Sequence, residues 1–364
     1  MRRLQMYLGG EWTDGSDQIT VHSPFDGRAV SRVARGSRSQ LETAVRLADE
    51  TAEEMAGLTA SDRVTILDRA CRLIRSRRRE LAQAISEEAA KPIGFARIEA
   101  ERCLDTFTEA SRIARQPEVV AQDLTGYPSG AGRLALIRRV PVGPVLAITP
   151  FNFPLNLVAH KLAPAIAAGC PVVLKPASQT PSPALLLAQI LDKAGLPHGA
   201  LSVVPSASSD AERLASDDRI ALLTFTGSMA VGWKLKELAW RPRVTLELGG
   251  NAAVVVEPDV ADLEDIARRI AGASFGYAGQ SCISVQRILV HEDVYMAMRK
   301  ALTRATAAIR HGDPSKRGVV CGPVIDAANA DRVEEWIADG VTSGGRMLTG
   351  GDRSGNLIAP TLLE

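Results

Sequence analysis

Cys282 closes the segment Gly279-Gln280-Ser281-Cys282, and Glu247 opens the segment Glu247-Leu248-Gly249-Gly250-Asn251. The first offers a thiolate and the second a general base, each set among small residues that let a ligand come close. Earlier in the chain, Pro150-Phe151-Asn152-Phe153-Pro154 supplies a side-chain amide. Thiolate, carboxylate and amide donor are the three groups needed to oxidise an aldehyde through a covalent thioester.

Each group also has an ordinary reading. A bare cysteine is more often a small buried hydrophobe, a strand-end glutamate more often half of an ion pair, and an asparagine between prolines more often a turn former. The combination carries the chemistry. Gly276 and Gly279 leave room on the approach to Cys282. Glu247 follows the apolar run Val244-Thr245-Leu246, which predicts a carboxylate at the end of a buried strand, with a pKa raised by partial burial. The aromatic rings and prolines around Asn152 fix the loop from which its NH₂ can donate to an oxyanion.

Two further segments suit a nucleotide. Phe225-Thr226-Gly227-Ser228 follows a strand and opens a helix, where free amides, a hydroxyl and the helix dipole favour phosphate. Lys175 ends the strand Val172-Val173-Leu174, within reach of ribose hydroxyls. Gly130-Ala131-Gly132-Arg133-Leu134-Ala135 also fits a dinucleotide fingerprint, but no strand precedes it and no helix follows, so it reads as a loop.

The elements that must position these groups alternate. Strands are predicted over 142–149, 172–175, 201–204, 220–225, 244–248 and 252–256, with helices over 155–168, 183–194 and 229–239. That order predicts a parallel sheet covered on both faces, with ligands at the carboxyl ends of the strands. Gly9-Gly10 predicts a hairpin turn, and Ser39 with Glu42 fits a capping box. Residues 116–139 are polar and glycine-rich and read as a β-hairpin that meets another subunit. A further region holds a helix over 266–275, a strand over 285–290, a helix over 294–309 and a strand around 357–363.

A 364-residue chain with 46% hydrophobic and 23% charged residues has room for two or three domains around an ordinary soluble core. A net charge of +1 gives no reason to invoke nucleic acid or an acidic membrane. The basic run Arg75-Ser76-Arg77-Arg78-Arg79 lacks interleaved aromatics and reads as a solvated helix face. The five cysteines, at 71, 103, 170, 282 and 321, form no metal or disulfide pattern. No secretory or membrane-spanning run is visible, so a cytoplasmic setting is expected.

Taken together, the segments at 150–154, 174–177, 225–228, 247–251 and 279–282 resemble the aldehyde dehydrogenase superfamily, in its order and over the whole chain. The resemblance implies a Rossmann-type parallel-sheet cofactor domain over 1–115 and 140–248, an α/β catalytic domain over 249–364, and an oligomerisation hairpin over 116–139. It implies that Cys282 is the nucleophile, Glu247 the base, and Asn152 with the Cys282 backbone N–H the oxyanion hole. NAD or NADP would be held by Lys175, Ser178, Gly227, Ser228, Thr149, Pro150, Phe151, Leu248 and Gly249, with no metal. Strict NAD users of the family often carry Glu at the position of Ser178, so this neutral residue implies tolerance of NADP. Phe151, in place of the commoner Trp, looks like members acting on short or functionalised aldehydes. His160 stands where it could face an acidic substrate or simply pack.

Family members continue beyond the position of Glu364 with a Glu-x-Phe-Gly-Pro segment. Three readings therefore stay open from the sequence: a hydrolytic NAD(P)-dependent aldehyde dehydrogenase acting as a homodimer or homotetramer, a CoA-acylating relative, and a shortened inactive cofactor-binding or assembly protein. Relatives of the second kind tend to lack the Glu at 247.

Overall fold

The computed structural model describes residues 1–364. Its centre is a seven-stranded sheet. In spatial order the strands are Arg243–Leu248, Leu222–Gly227, Val145–Ile148, Val172–Lys175, Leu201–Val203, Met6–Leu8 and Glu11–Thr13. The first five run parallel, and the last two join antiparallel at one edge through Gly9 and Gly10, both at positive φ. The predicted hairpin and the predicted strand–helix alternation are thus both present.

Strand periodicity explains why both faces are covered. Along the central strands, Val145, Ala147, Val172 and Leu174 enter one hydrophobic core, whereas Leu146, Ile148 and Val173 enter another on the opposite face. Helices Ala60–Ala89, Ile93–Arg115, Asn156–Ala168 and Ser182–Ala194 cover the first face, and helices Arg38–Glu50 and Met229–Leu238 the second. A smaller third core gathers Val256, Ala267, Ile270, Met298, Ala301 and Leu302. It lies beside a separate parallel pair, Ala252–Val256 with Val285–Val290.

Residues Val119–Asp123 and Leu134–Arg138 pair as an antiparallel hairpin standing apart from the main sheet. Gly130 and Ala131 lie in its connecting turn, so the glycine fingerprint there is a loop, as expected.

Several expectations are corrected. The first long helix begins at Arg38 and is capped by Ser37, whose hydroxyl accepts from Gln40 N–H while Gln40 reaches back. Ser37 is still extended and Ser39 is already inside the first turn, so the capping box falls two residues before the predicted Ser39–Glu42 pair. The N-terminal region adds a three-stranded sheet, Arg2–Leu4, Ala29–Arg35 and Asp17–His22, that patterning missed. Helix Ala327–Thr342, capped by Asp326, was also missed, because Ala330 is its only buried residue. The strand expected around 357–363 is two short pieces, Leu357–Ile358 and Leu362–Leu363, separated at Pro360. Finally, Arg243–Leu248 is an edge strand: Arg243, Thr245 and Glu247 are exposed, so the partial burial expected of Glu247 is not observed.

Candidate active site

Cys282 is an exposed free thiol on a turn with an unusual backbone. Tyr277, Ala278 and Gly279 all have positive φ, of 54°, 55° and 69°. Two consecutive non-glycine residues in this region are costly and persist only where the surroundings over-determine them. Here they do. Tyr277 is buried, its N–H donates to Val320 O at 2.9 Å, and its hydroxyl donates to Ala89 O at 3.3 Å. Gln280 accepts from Ile325 N–H at 2.9 Å, and the buried Ser284 hydroxyl donates to Ser274 O at 3.0 Å. The turn that presents the sulfur is therefore fixed from both ends.

Two other elements converge on this turn. Asn152 lies just beyond the carboxyl end of Val145–Ile148, and its Nδ2 donates to Gln280 O at 2.8 Å. That bond uses one N–H and leaves the other. Its Oδ1 is buried without a partner. The Gly249-Gly250 loop arrives from the edge strand, and a Cβ added to Gly250 would lie 3.9 Å from Cys282 O. The parallel pairing of Ala252 with Val285 locks this approach. The structure thus brings the Asn152, Glu247 and Cys282 segments to one place.

Beside Glu247 is a residue that patterning missed. Lys161 is 7% exposed, and its Nζ donates to Thr224 Oγ1 at 2.8 Å. Burial lowers its pKa from 10.5 to about 8, partly offset by the Glu247 carboxylate. The signal was visible as a lone lysine in the mostly apolar helix Asn156–Ala168. His160, its neighbour, is exposed and shares a hydrogen bond with Asn156 Nδ2 at 3.2 Å. Its ring is nonetheless half-buried against the protein, and that desolvation, with Arg102 and Lys161 nearby, lowers its pKa.

A crevice of about 350 Å³ opens at the carboxyl ends of the parallel strands, where this topology places ligands. Thr149, Pro150, Phe151, Lys175, Ser178, Gly227 and Ser228 line it; Leu248 and Gly249 do not. A larger cavity of about 410 Å³ lies behind the Cys282 turn and touches none of Cys282, Glu247 or Asn152.

The crevice fits a nucleotide. Lys175 is 6% exposed, and its Nζ finds only Ser208 Oγ, at 3.5 Å. Burial pushes its pKa down, and no carboxylate faces it. The Thr149 hydroxyl is buried without a partner. Ser228 caps helix Met229–Leu238 without using its hydroxyl, so hydroxyl and first-turn amides stay free. The one acid in the lining, Glu212, is paired with Lys234 at 2.7 Å. A buried cation, an orphan hydroxyl and a free helix start are the donors that ribose and phosphate oxygens require.

Comparison with known proteins agrees. The sequence pattern described as the aldehyde dehydrogenase family matches residues 12–364. The chain is 36% identical to 3-sulfolactaldehyde dehydrogenase of Priestia aryabhattai over 364 residues, covering 100% of this chain and 76% of that protein. It is 35% identical over 372 residues to the NADP(+) succinate-semialdehyde dehydrogenase of Escherichia coli K12, covering 99% and 76%. Among solved structures, aldehyde dehydrogenase 21 of Physcomitrella patens, in complex with the reaction product succinate, superposes with a TM-score of 0.97 at 37% identity, over 100% of this chain and 76% of that one. The NADP-dependent glyceraldehyde-3-phosphate dehydrogenase of Bacillus halodurans, complexed with NADP, does so with a TM-score of 0.96 at 30% identity, over 100% and 77%. The chain belongs to the aldehyde dehydrogenase family, whose reaction is the NAD(P)-dependent oxidation of an aldehyde.

Proposed function

We propose that the chemistry runs on Cys282, Asn152 and Glu247. The Cys282 thiolate adds to the aldehyde carbonyl carbon, and the carbonyl π pair moves onto oxygen. Asn152 Nδ2 and the Cys282 backbone N–H donate to that oxyanion. Oxidised nicotinamide, when bound, supplies the hydride acceptor. The residues of the crevice would hold the dinucleotide: Lys175 and Ser178 at the adenosine ribose, Ser228 and Gly227 at the pyrophosphate. Thr149, Pro150 and Phe151 would form its floor, and Leu248 and Gly249, outside the crevice lining, would contact it from the end of the edge strand. The resulting Cys282 thioester is then hydrolysed. Glu247 takes a proton from the attacking water, the carboxylic acid leaves, and the thiol is restored. Lys161 keeps a positive charge beside the Glu247 carboxylate.

The observation that carries this reading is the convergence of Asn152 and Gly250 on the Cys282 turn. Three finer points follow. The cofactor is NAD or NADP, with NADP accepted, because Ser178 is neutral and Glu212 is already paired. The aldehyde carries a second, anionic group. Arg102, whose charge reaches both His160 and Lys91, supports that, as do the acid-bearing substrates in the names of several relatives. The hairpin Val119–Asp123 with Leu134–Arg138 meets a second copy of the chain, because Val119, Leu134, Leu136 and Ile137 stand exposed on it. No helix is long and apolar enough to cross a membrane, and the free cysteines suit a cytoplasmic setting. The domain roles are those of the sequence reading: cofactor binding over 1–115 and 140–248, catalysis over 249–364.

The test is reduced-nicotinamide formation with succinate semialdehyde or butanal, with NAD or NADP, with and without CoA, beside Cys282→Ala. Turnover independent of CoA, faster with the semialdehyde and lost in the variant is expected. Turnover that survives the substitution overturns the assignment.

A further inference from the structure

Lys91 and Glu99 form an ion pair in which neither side chain reaches solvent: they are 1% and 0% exposed, with Nζ 2.6 Å from Glu99 Oε2. Removing two charges from water is costly, and such a pair is poor evidence of stabilisation in itself. What surrounds it is more informative. The same Nζ donates to the backbone oxygen of Asn152 at 2.7 Å. The other oxygen of Glu99 accepts from Leu155 N–H at 2.9 Å and from Asn156 N–H at 3.1 Å. The pair thus holds both ends of the loop that carries the Asn152 amide.

Lys91 also touches the nucleophile turn. Its Nζ lies 3.5 Å from the Phe153 ring centre and 4.6 Å from that of Tyr277. Tyr277 is the first left-handed residue of the turn that leads to Cys282. The lysine itself sits in the short link between helices Ala60–Ala89 and Ile93–Arg115, where Ala90 is left-handed at φ 46°. Burial lowers the lysine's pKa, and Glu99 opposes that shift.

We infer that the buried Lys91–Glu99 pair is a positioning device for catalysis: it sets the Asn152 donor against the Cys282 turn, so that the oxyanion site is assembled before an aldehyde arrives. This rests on the assignment of Cys282 and Asn152 above. The device touches neither substrate nor cofactor. It acts through the backbone of residues 152–156 and the ring of Tyr277.

The first readout of the test, protection of the sulfur, needs no cofactor, and turnover with NAD or NADP is the second. An aldehyde that adds reversibly to Cys282 protects the sulfur from iodoacetamide, and the oxyanion site stabilises that adduct. Lys91→Met alone strands a buried carboxylate, which is strongly destabilising. The double substitution Lys91→Met with Glu99→Gln removes both charges and keeps an acceptor for Leu155 and Asn156. Its melting temperature is compared with that of the parent. Cys282 alkylation without aldehyde is expected to stay within about threefold, because the sulfur itself is untouched. The propanal concentration for half-protection is expected to rise about tenfold, and kcat to fall about 10- to 100-fold with KM little changed, the scale of a misplaced oxyanion donor. Half-protection and kcat equal to the parent's in a folded double variant overturn the inference. Asn152→Ala is run alongside. If it fails to weaken protection, the oxyanion assignment falls instead, and the two failures are told apart.

Discussion

Replacing Lys161 with methionine tests the electrostatics of the site through stability. The methionine keeps the length of the chain and removes the charge. Lys161 titrates at about 8 in the folded protein against 10.5 for an unperturbed lysine, with burial as the largest cause. The folded state therefore binds fewer protons than the unfolded chain between those two values, and stability rises with pH across that window. The contribution is fully present above the unfolded pKa and is lost as pH falls through the folded one. Lowering the pKa from 10.5 to about 8 corresponds to about 3 kcal/mol, of which about 2 kcal/mol is recovered between pH 7.5 and pH 10. Urea unfolding of parent and Lys161→Met at both pH values reads it. Other lysines titrate in both proteins, so the informative quantity is the difference between the two. We expect the parent to gain about 2 kcal/mol relative to the variant on going to pH 10. Parallel behaviour across the window would refute a buried, charge-penalised Lys161 beside Glu247.

Two further outcomes are expected. Glu247→Gln removes the proposed base for hydrolysis but leaves the sulfur and the amide donor, so a rapid burst of reduced nicotinamide should persist while steady turnover falls about 10²- to 10⁴-fold, as read by stopped-flow absorbance. Glu88 is fully buried where the side chains of Ser31 and Ser182 and the Ser182 N–H, at 3.0 Å, all donate to it, and burial pushes its pKa up from 4.5 to about 7. Its folded pKa exceeds its unfolded one, so stability from this group is present below pH 4.5 and lost as pH rises through about 7. Glu88→Gln should flatten the fall in melting temperature between pH 5 and pH 8, and an unchanged slope would contradict that origin.

Much of the fold was legible because hydrophobic period and turn chemistry are local. Ala252–Val256 and Val285–Val290 were read to the residue from their β-branched runs, and the hairpin over 116–139 from its glycines and alternating apolar residues. The order of strands in a sheet is not local. Val244-Thr245-Leu246 looks the same in the middle of a sheet as at its margin, which is why Glu247 was expected to be half-buried and is exposed. The segments proposed to be catalytic stood out because such chemistry is restricted to few residue types. The groups behind them were harder to see. Glu99 sits on a helix face with Ala96, Ala100 and Cys103, where a lone acid among small apolar residues was the available sign. Its partner lies across Pro92, in a link with no period to read. The cap at Ser37 was displaced because two serines in three residues offer competing starts, and only the backbone angles decide.

With Glu247 as the proposed base, its margin position has a kinetic consequence. Hydrolysis of a thioester consumes one solvent molecule per cycle, and a base deep in the sheet would have to be supplied through packed side chains. At an outer strand, with Glu247 exposed beside Thr226, the molecule comes directly from bulk solvent. The proposed hydrolysis step then needs no channel through the packed interior.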